Sequence, residues 1–189
     1  MPGLYKIFQE KWEQFQTCWI ISDTHFGDME LREGLSQRPA DLAFVESLKR
    51  KIGKKDILIH LGDVGDIEII RQLKGYKVLV CGNHDAGRTI YEEVFDEVYN
   101  GPLMISDRII LSHEPIPNIN WAFNIHGHIH DFRHKNDKYH YCVCADLINY
   151  TPINFAHWVK EGHLSGVQPI HREIIDRATA RKKKRGKAK

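Results

Sequence analysis

Apolar residues gather along the chain into short runs, and each run stops at a small polar cluster. Cys18 to Ile21 gives way to Ser22-Asp23, Ile57 to Leu61 to Gly62-Asp63, and Val78 to Cys81 to Gly82-Asn83. Runs of this length bounded by turn residues predict buried strands, each delivering a polar loop. Helix-like stretches lie between them: Ala40 to Ile52, with apolar Leu42, Val45 and Leu48, and Ile67 to Leu73. Strands alternating with helices predict α/β layering. Beyond residue 100 the runs crowd together as Leu103 to Ser106, Ile109 to Ser112, Phe123 to His126 and Tyr139 to Ala145, with Ser106-Asp107 as a hairpin turn. This crowding predicts a second, mostly antiparallel sheet. Ile153 to Glu161 reads as a return helix and Pro169 to Ile175 as a late strand, and no internal repeat is visible.

The chain has 189 residues, 42% of them hydrophobic, enough for one core and too few for two ordinary domains. We therefore expect a single domain over residues 1–178 and a basic, disordered tail over 179–189. Net charge supports that division. Arg181 to Lys189 carry seven basic and no acidic side chains, so removing them from the total of +2 leaves −5 for the rest. A whole-chain basic reading would mislead, although the tail itself could attract nucleic acid or another polyanion. Cys18, Cys81, Cys142 and Cys144 form no CxxC pair and sit in apolar runs, which suits a reducing compartment. With no uninterrupted apolar leader and no run near 18 apolar residues, the expectation is a cytoplasmic protein with no membrane partner.

The polar residues at the run ends change the picture most. They are Asp23-Thr24-His25, Gly62-Asp63, Gly82-Asn83-His84-Asp85, Ser112-His113 and Gly127-His128-Ile129-His130. In open α/β sheets the loops at the carboxyl ends of strands form the usual ligand crevice. Carboxylate, amide and imidazole donors suit manganese, iron or zinc at an open working site, unlike the thiolate cages of structural zinc. The i, i+2 pairs Asp23/His25 and His128/His130 project to one side of an extended chain, so each pair can reach neighbouring positions. Glycines at 62, 82 and 127 permit tight turns and close backbone approach beside these candidates.

Asp-x-His at 23–25, Gly-Asp-x-x-Asp at 62–66, Gly-Asn-His-Asp at 82–85, a lone His113 and Gly-His-x-His at 127–130 together resemble the calcineurin-like metallophosphoesterase superfamily, with all five blocks in order. Ile21 to Gly27, and Asn149-Tyr150-Thr151-Pro152, further resemble its small single-domain bacterial and phage phosphoesterases. The resemblance covers nearly the whole chain except its tail. It implies an α/β fold of two packed mixed β-sheets flanked by helices, a four-layer α/β/β/α sandwich. It also implies two divalent cations: one held by Asp23, His25, Asp63 and His130, the other by Asp63, Asn83, His113 and His128, with Asp63 bridging. The implied activity is hydrolysis of a phosphodiester or phosphomonoester by in-line attack of a metal-bound hydroxide. His84 would assist the leaving group and Asp85 would orient His84. Mn²⁺ is the expected metal, with Fe, Zn and Ni also suited to such ligands.

Each residue alone has an ordinary explanation: Asp23 as a helix cap, Asn83 as a turn residue, His113 as a satisfied core histidine. The full set at strand ends favours the metal site. His60 and His126 lie inside apolar runs and read as strand residues or as partners that orient ligands. His134, His140, His157, His163 and His171 read as ordinary histidines. Trp12, Phe15, Trp19, Trp121 and Phe123 read as packing residues, and Arg38, Arg88 and Arg133 as either phosphate holders or solvated surface. Ile67 stands where phosphoprotein phosphatases of the family place an Arg, and Asp28 where small relatives often place a His; the first weakens a phosphoprotein-phosphatase reading. Two other classes stay open: a nucleic-acid-processing phosphodiesterase using the basic tail, and a scaffold that keeps the fold without turnover.

Overall fold

The three leading runs are apolar at nearly every position because both of their faces are covered, as a central parallel strand requires. The computed structural model describes residues 4–167 apart from Ser36 and Gly87. In chain order it places α1 (Lys6–Trp12), β1 (Cys18–Ile21), α2 (Met29–Gly34), α3 (Asp41–Lys51), β2 (Ile57–His60), α4 (Ile67–Arg71), β3 (Tyr76–Val80) and α5 (Arg88–Tyr91). There follow β4 (Glu97–Tyr99), β5 (Leu103–Met104), β6 (Ile109–Leu111), β7 (Phe123–His126), β8 (His140–Cys142), β9 (Ile153–Asn154) and α6 (Phe155–Lys160). The late strand expected over 169–175, the tail and His171 lie outside the described residues.

Two mixed sheets result, the expected α/β class. The larger has the order β4-β3-β2-β1-β9, with β1 to β4 parallel and β9 antiparallel at the edge; the smaller has the order β5-β6-β7-β8. Strand alternation divides the core. Ile20, Ile57, Ile59, Val78 and Val80 face the smaller sheet and pack with Leu111, Phe123 and Ile125, together with Trp12 of α1 and Trp158 of α6. Ile21, Leu58 and Leu79 face the other way and pack against Phe44, Val45 and Leu48 of α3 and Ile70 of α4. Each such fully buried aliphatic side chain contributes about 1.5–3 kcal/mol. On the far side of the smaller sheet, Ile110 meets Ile119 and Ala122 of the 112–122 loop.

Three expectations need correction. The smaller sheet is mostly parallel: only β5 and β6 pair antiparallel, across the expected Ser106-Asp107 turn, whereas β6–β7 and β7–β8 are parallel. Parallel neighbours need crossovers of about a dozen residues. Segments 112–122 and 127–139 supply them without regular helices, so their periodicity gives no sign of a crossover. The return helix begins later than expected, because Ile153 and Asn154 first pair with Ile20 and Trp19. Asn154 then caps the helix, its side chain accepting from the His157 amide at 3.1 Å. Arg38 is neither a free phosphate holder nor a surface residue but is buried in an ion pair with Asp146.

The sheets meet at their carboxyl ends. Just past β1, the Ser22 amide donates to Val143 O at 3.1 Å and the Ala145 amide to Ser22 O at 3.0 Å. This bridge carries the loop after β1 from one sheet to the other and gathers the polar run ends in one place.

Candidate metal centre

The loops after β1, β2, β3, β6 and β7 converge there, and their backbones are contorted to do so. Asp23, His25, Asp63 and His128 all have positive φ, at 55°, 39°, 55° and 68°. Outside glycine such conformations cost on the order of 1–3 kcal/mol each and persist where the surroundings enforce them. Here the surroundings are close backbone approaches. A Cβ on Gly127 would run into the Asp23 carboxylate and the Ser22 side chain, and Gly62, at φ 90°, lies against the Gly82 backbone. The His128 amide, freed by that approach, donates to both Asp23 oxygens at 3.1 and 2.9 Å.

Two groups of donors form around Asp63. Its Oδ1 accepts from the His84 amide at 2.9 Å, which fixes the carboxylate and leaves Oδ2 facing both groups. On one side Oδ2 lies 3.5 Å from His25 Nε2, which in turn lies 4.0 Å from Asp23 Oδ1; His130 Nε2 stands 3.6 Å from that same Asp23 oxygen. On the other side Oδ2 lies 3.3 Å from His113 Nε2; Asn83 Oδ1 is 2.7 Å from His113 Nε2 and 3.0 Å from His128 Nδ1. Two ligands at about 2.1 Å from a common cation stand roughly 3.0–3.4 Å apart. The observed spacings bracket that range.

The donor chemistry fits a cation equally well. Asp23 and Asp63 are buried carboxylates, and burying charge without a counter-charge is unfavourable. His25 Nε2 is buried with no hydrogen-bond partner, though it points between the two carboxylates. His113 Nε2 and His128 Nδ1 confront one another at 3.2 Å. His113 spends its Nδ1 on Leu61 O at 2.8 Å and His130 its Nδ1 on Asp146 Oδ2 at 2.6 Å, so in each ring the inward nitrogen is left to act as a ligand. Hydrogen bonds within the cluster offset the burial of its charges. Burial opposes charge on Asp63, yet hydrogen bonds from His113 and the His84 amide bring it down to about 2. Hydrogen bonds to Asp146 and Asp23 raise His130 to about 9 against the effect of burial.

The structure thus brings Asp23, His25, Asp63, Asn83, His113, His128 and His130 into one place. His84 stands exposed beside them, its ring centroid 5.6 Å from that of His25. The Asp85 carboxylate is turned elsewhere: it accepts from the amides of Asp63, Val64 and Gly82 at 2.7–2.9 Å and from Tyr91 Oη at 3.0 Å. It ties the loops after β2 and β3 together, and no described hydrogen bond joins it to the His84 ring. Asp66 and Asp28 cap helices α4 and α2. His60 Nε2 lies 2.9 Å from Thr24 Oγ1, bracing the loop between Asp23 and His25, and exposed Arg133 pairs with Asp131.

Sequence reasoning passed over Asp146. Its buried carboxylate joins His130 to Arg38, whose Nη1 donates to it at 3.0 Å and whose Nη2 donates to Thr24 O. The available signal was its position, directly after the apolar run that ends at Ala145. An open cleft starts at Asn83 and His113 and continues along Asn100–Pro102 and Glu114–Pro117.

The model of the calcineurin-like phosphoesterase superfamily domain matches residues 17–145, so the chain belongs to that superfamily. Among solved structures, the chain is similar to AQ665 from Aquifex aeolicus, described as a protein of unknown function. Identity is 26% and the TM-score 0.65, covering 76% of this chain and 98% of that one. It is also similar to the Pseudomonas putida nuclease MPE, at 24% identity and a TM-score of 0.44, covering 60% of this chain and 61% of that one. Among curated proteins no match was found.

Proposed function

We propose that the chain is a two-metal phosphoesterase that hydrolyses a phosphodiester or phosphomonoester with water. The observation that carries this reading is the Asp63 carboxylate, with one oxygen fixed by the His84 amide and the other 3.3 and 3.5 Å from imidazole nitrogens of two donor groups. Asp23, His25, Asp63 and His130 would hold one cation, and Asp63, Asn83, His113 and His128 the other. When bound, such cations neutralise phosphoryl oxygens and lower the pKa of water from ~16 towards ~7. Nitrogen and oxygen donors without sulfur suit Mn²⁺, with Fe, Zn and Ni as alternatives.

The chain's own residues supply the rest. Asp23 and Asp63 fix the separation of the two groups through backbone contacts that do not depend on substrate. His84, exposed beside His25, is the side chain that would donate a proton to the leaving oxygen. Asp85 is a positioning residue, because it ties Asp63 and Val64 to Gly82 from beneath. The cleft running from Asn83 past Pro102 and Pro115 offers room for a second substituent on the phosphorus, which favours a diester such as a nucleotide or nucleic-acid linkage.

The test is chelation followed by Mn²⁺ addition, with an aryl phosphate, its diester and a panel of linear and cyclic nucleotides and short oligonucleotides as substrates. Hydrolysis should require metal and should be lost in Asp63→Ala. Metal-loaded wild type no faster than Asp63→Ala on every substrate would end the enzymatic reading and leave that of a non-catalytic scaffold.

A further inference from the structure

Strand alternation puts a second set of metal-binding side chains on the outer face of the smaller sheet. Phe123 and Ile125 of β7, and Tyr141 and Val143 at β8, face the core. His126 and Cys142 therefore face outward, and in the parallel register of β7 and β8 they are direct partners. The 127–139 crossover folds back over this pair. Asn136 Oδ1 accepts from the Cys142 amide at 2.7 Å, and this contact holds His134 above the strands. One donor atom from each of His126, His134 and Cys142 lies within 4.8 Å of the others.

The state of these donors sets the cluster apart from ordinary packing. His126 is fully buried and its Nδ1 lies 2.9 Å from Gly127 O, so Nδ1 carries the proton and Nε2 presents a lone pair. That Nε2 has no hydrogen-bond partner, and neither does the buried Nε2 of His134. The Cys142 thiol has only long contacts, 3.6 Å to Gly127 O and 3.9 Å to Ile129 O. His140 stands nearby but spends Nε2 on Ile116 O at 2.8 Å and Nδ1 on Asp137 at 3.0 Å, so it is not available. Two orphaned buried imidazole nitrogens beside a thiol are unfavourable unless something joins them. A backbone carbonyl fixing the other nitrogen of a ring is what a metal-ligating histidine shows.

We propose that His126, His134 and Cys142 form a separate site for a single borderline-soft divalent cation such as Zn²⁺, with water completing the coordination. Its two nitrogens and one sulfur select zinc or cobalt over manganese or magnesium. The site is structural. It pins the crossover to β7 and β8, and that crossover begins with His128 and His130. Binding replaces the thiol proton, which leaves to solvent, so affinity rises with pH.

Cobalt distinguishes this site from the dinuclear centre, whose proposed ligands include no sulfur. The metal-free full chain is titrated with Co²⁺ and the near-ultraviolet thiolate-to-cobalt band is followed in wild type, Cys142→Ser, His134→Ala and Cys144→Ser. Cys144→Ser is needed because Cys144 Sγ lies 3.5 Å from His130 Nδ1. The expected result is a band whose final amplitude corresponds to one thiolate-bound cobalt per chain, whatever cobalt the dinuclear centre takes up, and which Cys142→Ser abolishes. His134→Ala should weaken its apparent affinity about tenfold or more, and Cys144→Ser should leave it unchanged. Should Cys142→Ser fail to fold, His134→Ala in the crossover loop carries the test, with far-ultraviolet circular dichroism as the control for folding. Absence of a band in folded wild type, its survival at full affinity in His134→Ala, or its loss in Cys144→Ser would overturn the site. None of these outcomes depends on whether the chain hydrolyses phosphoesters.

Discussion

Replacing Asp146 by Asn keeps the shape of the side chain and removes its charge. Both Asp146 and Arg38 have fully buried side chains, joined at 3.0 Å, and the other Asp146 oxygen takes His130 Nδ1 at 2.6 Å. Burial works against the Asp146 charge, but the His130 hydrogen bond and the Arg38 guanidinium hold its carboxyl below the usual range. An Asn leaves the guanidinium buried without a counter-charge, and breaking a buried pair in this way costs about 3–5 kcal/mol. Against a typical domain stability of about 5–15 kcal/mol this is a large fraction. His130 also loses the partner that directs its Nε2 towards Asp23, and removing such partners typically weakens metal binding about 10–100-fold. Urea unfolding of the chelated protein, followed by circular dichroism, gives the first quantity; competition with a chromophoric chelator gives the second. Arg38→Met alone should cost less, since Asp146 keeps His130. The double variant should fall short of the sum of the single effects by about 1 kcal/mol or more. A loss under about 1 kcal/mol in Asp146→Asn, with metal affinity unchanged, would refute the view that this buried pair supports the ligand set.

Three further outcomes follow from the same geometry. His84→Ala should slow hydrolysis about 10²–10⁴-fold, with the larger effect on esters of poorer leaving groups, in steady-state assays with aryl esters of graded pKa; an equal effect on all leaving groups would remove its role as proton donor. Gly127→Ala should destabilise the fold by about 1–3 kcal/mol and weaken metal binding, because the new Cβ displaces Asp23; unfolding curves with and without Mn²⁺ measure both. In the metal-free protein, burial pushes His60 and His126 down to about 4, whereas the ordinary value is 6.5. The unfolded chain therefore binds these protons first, and stability falls as pH drops from 6.5 to about 4, by on the order of 3 kcal/mol per histidine. His130, raised to about 9, acts in the opposite sense: its contribution is full below 6.5 and fades as pH rises to about 9. Unfolding free energies across pH 4–9 should show a maximum near pH 6.5, where these windows meet, and His60→Gln should flatten the acid limb.

Seven of the nine described strands and the donors were legible in the chain's own pattern, whereas β4 (Glu97–Tyr99) and β9 (Ile153–Asn154) were not. Runs such as Ile57 to Leu61 are apolar throughout because both faces are covered, and that property is visible without knowing what covers them. Polar donors stood out because they recur at the ends of apolar runs, and the resemblance of the five blocks to the superfamily singled out Asp23, His25, Asp63, Asn83, His113, His128 and His130 among them. Tertiary structure alone decided which of them approach one another. The sharing of Asp63 Oδ2, the inward orientation of His113 and His130, and the four left-handed conformations arise where loops from two sheets press together across the Ser22–Cys144 bridge. Asp146 and Arg38 were illegible for the same reason: each looks like a surface charge until burial makes it the other's partner. The direction of the smaller sheet was equally hidden, because pairing between distant segments leaves no local periodicity when irregular loops make the crossovers. Local pattern reports what a residue needs around it, and only the fold specifies which distant residues meet that need.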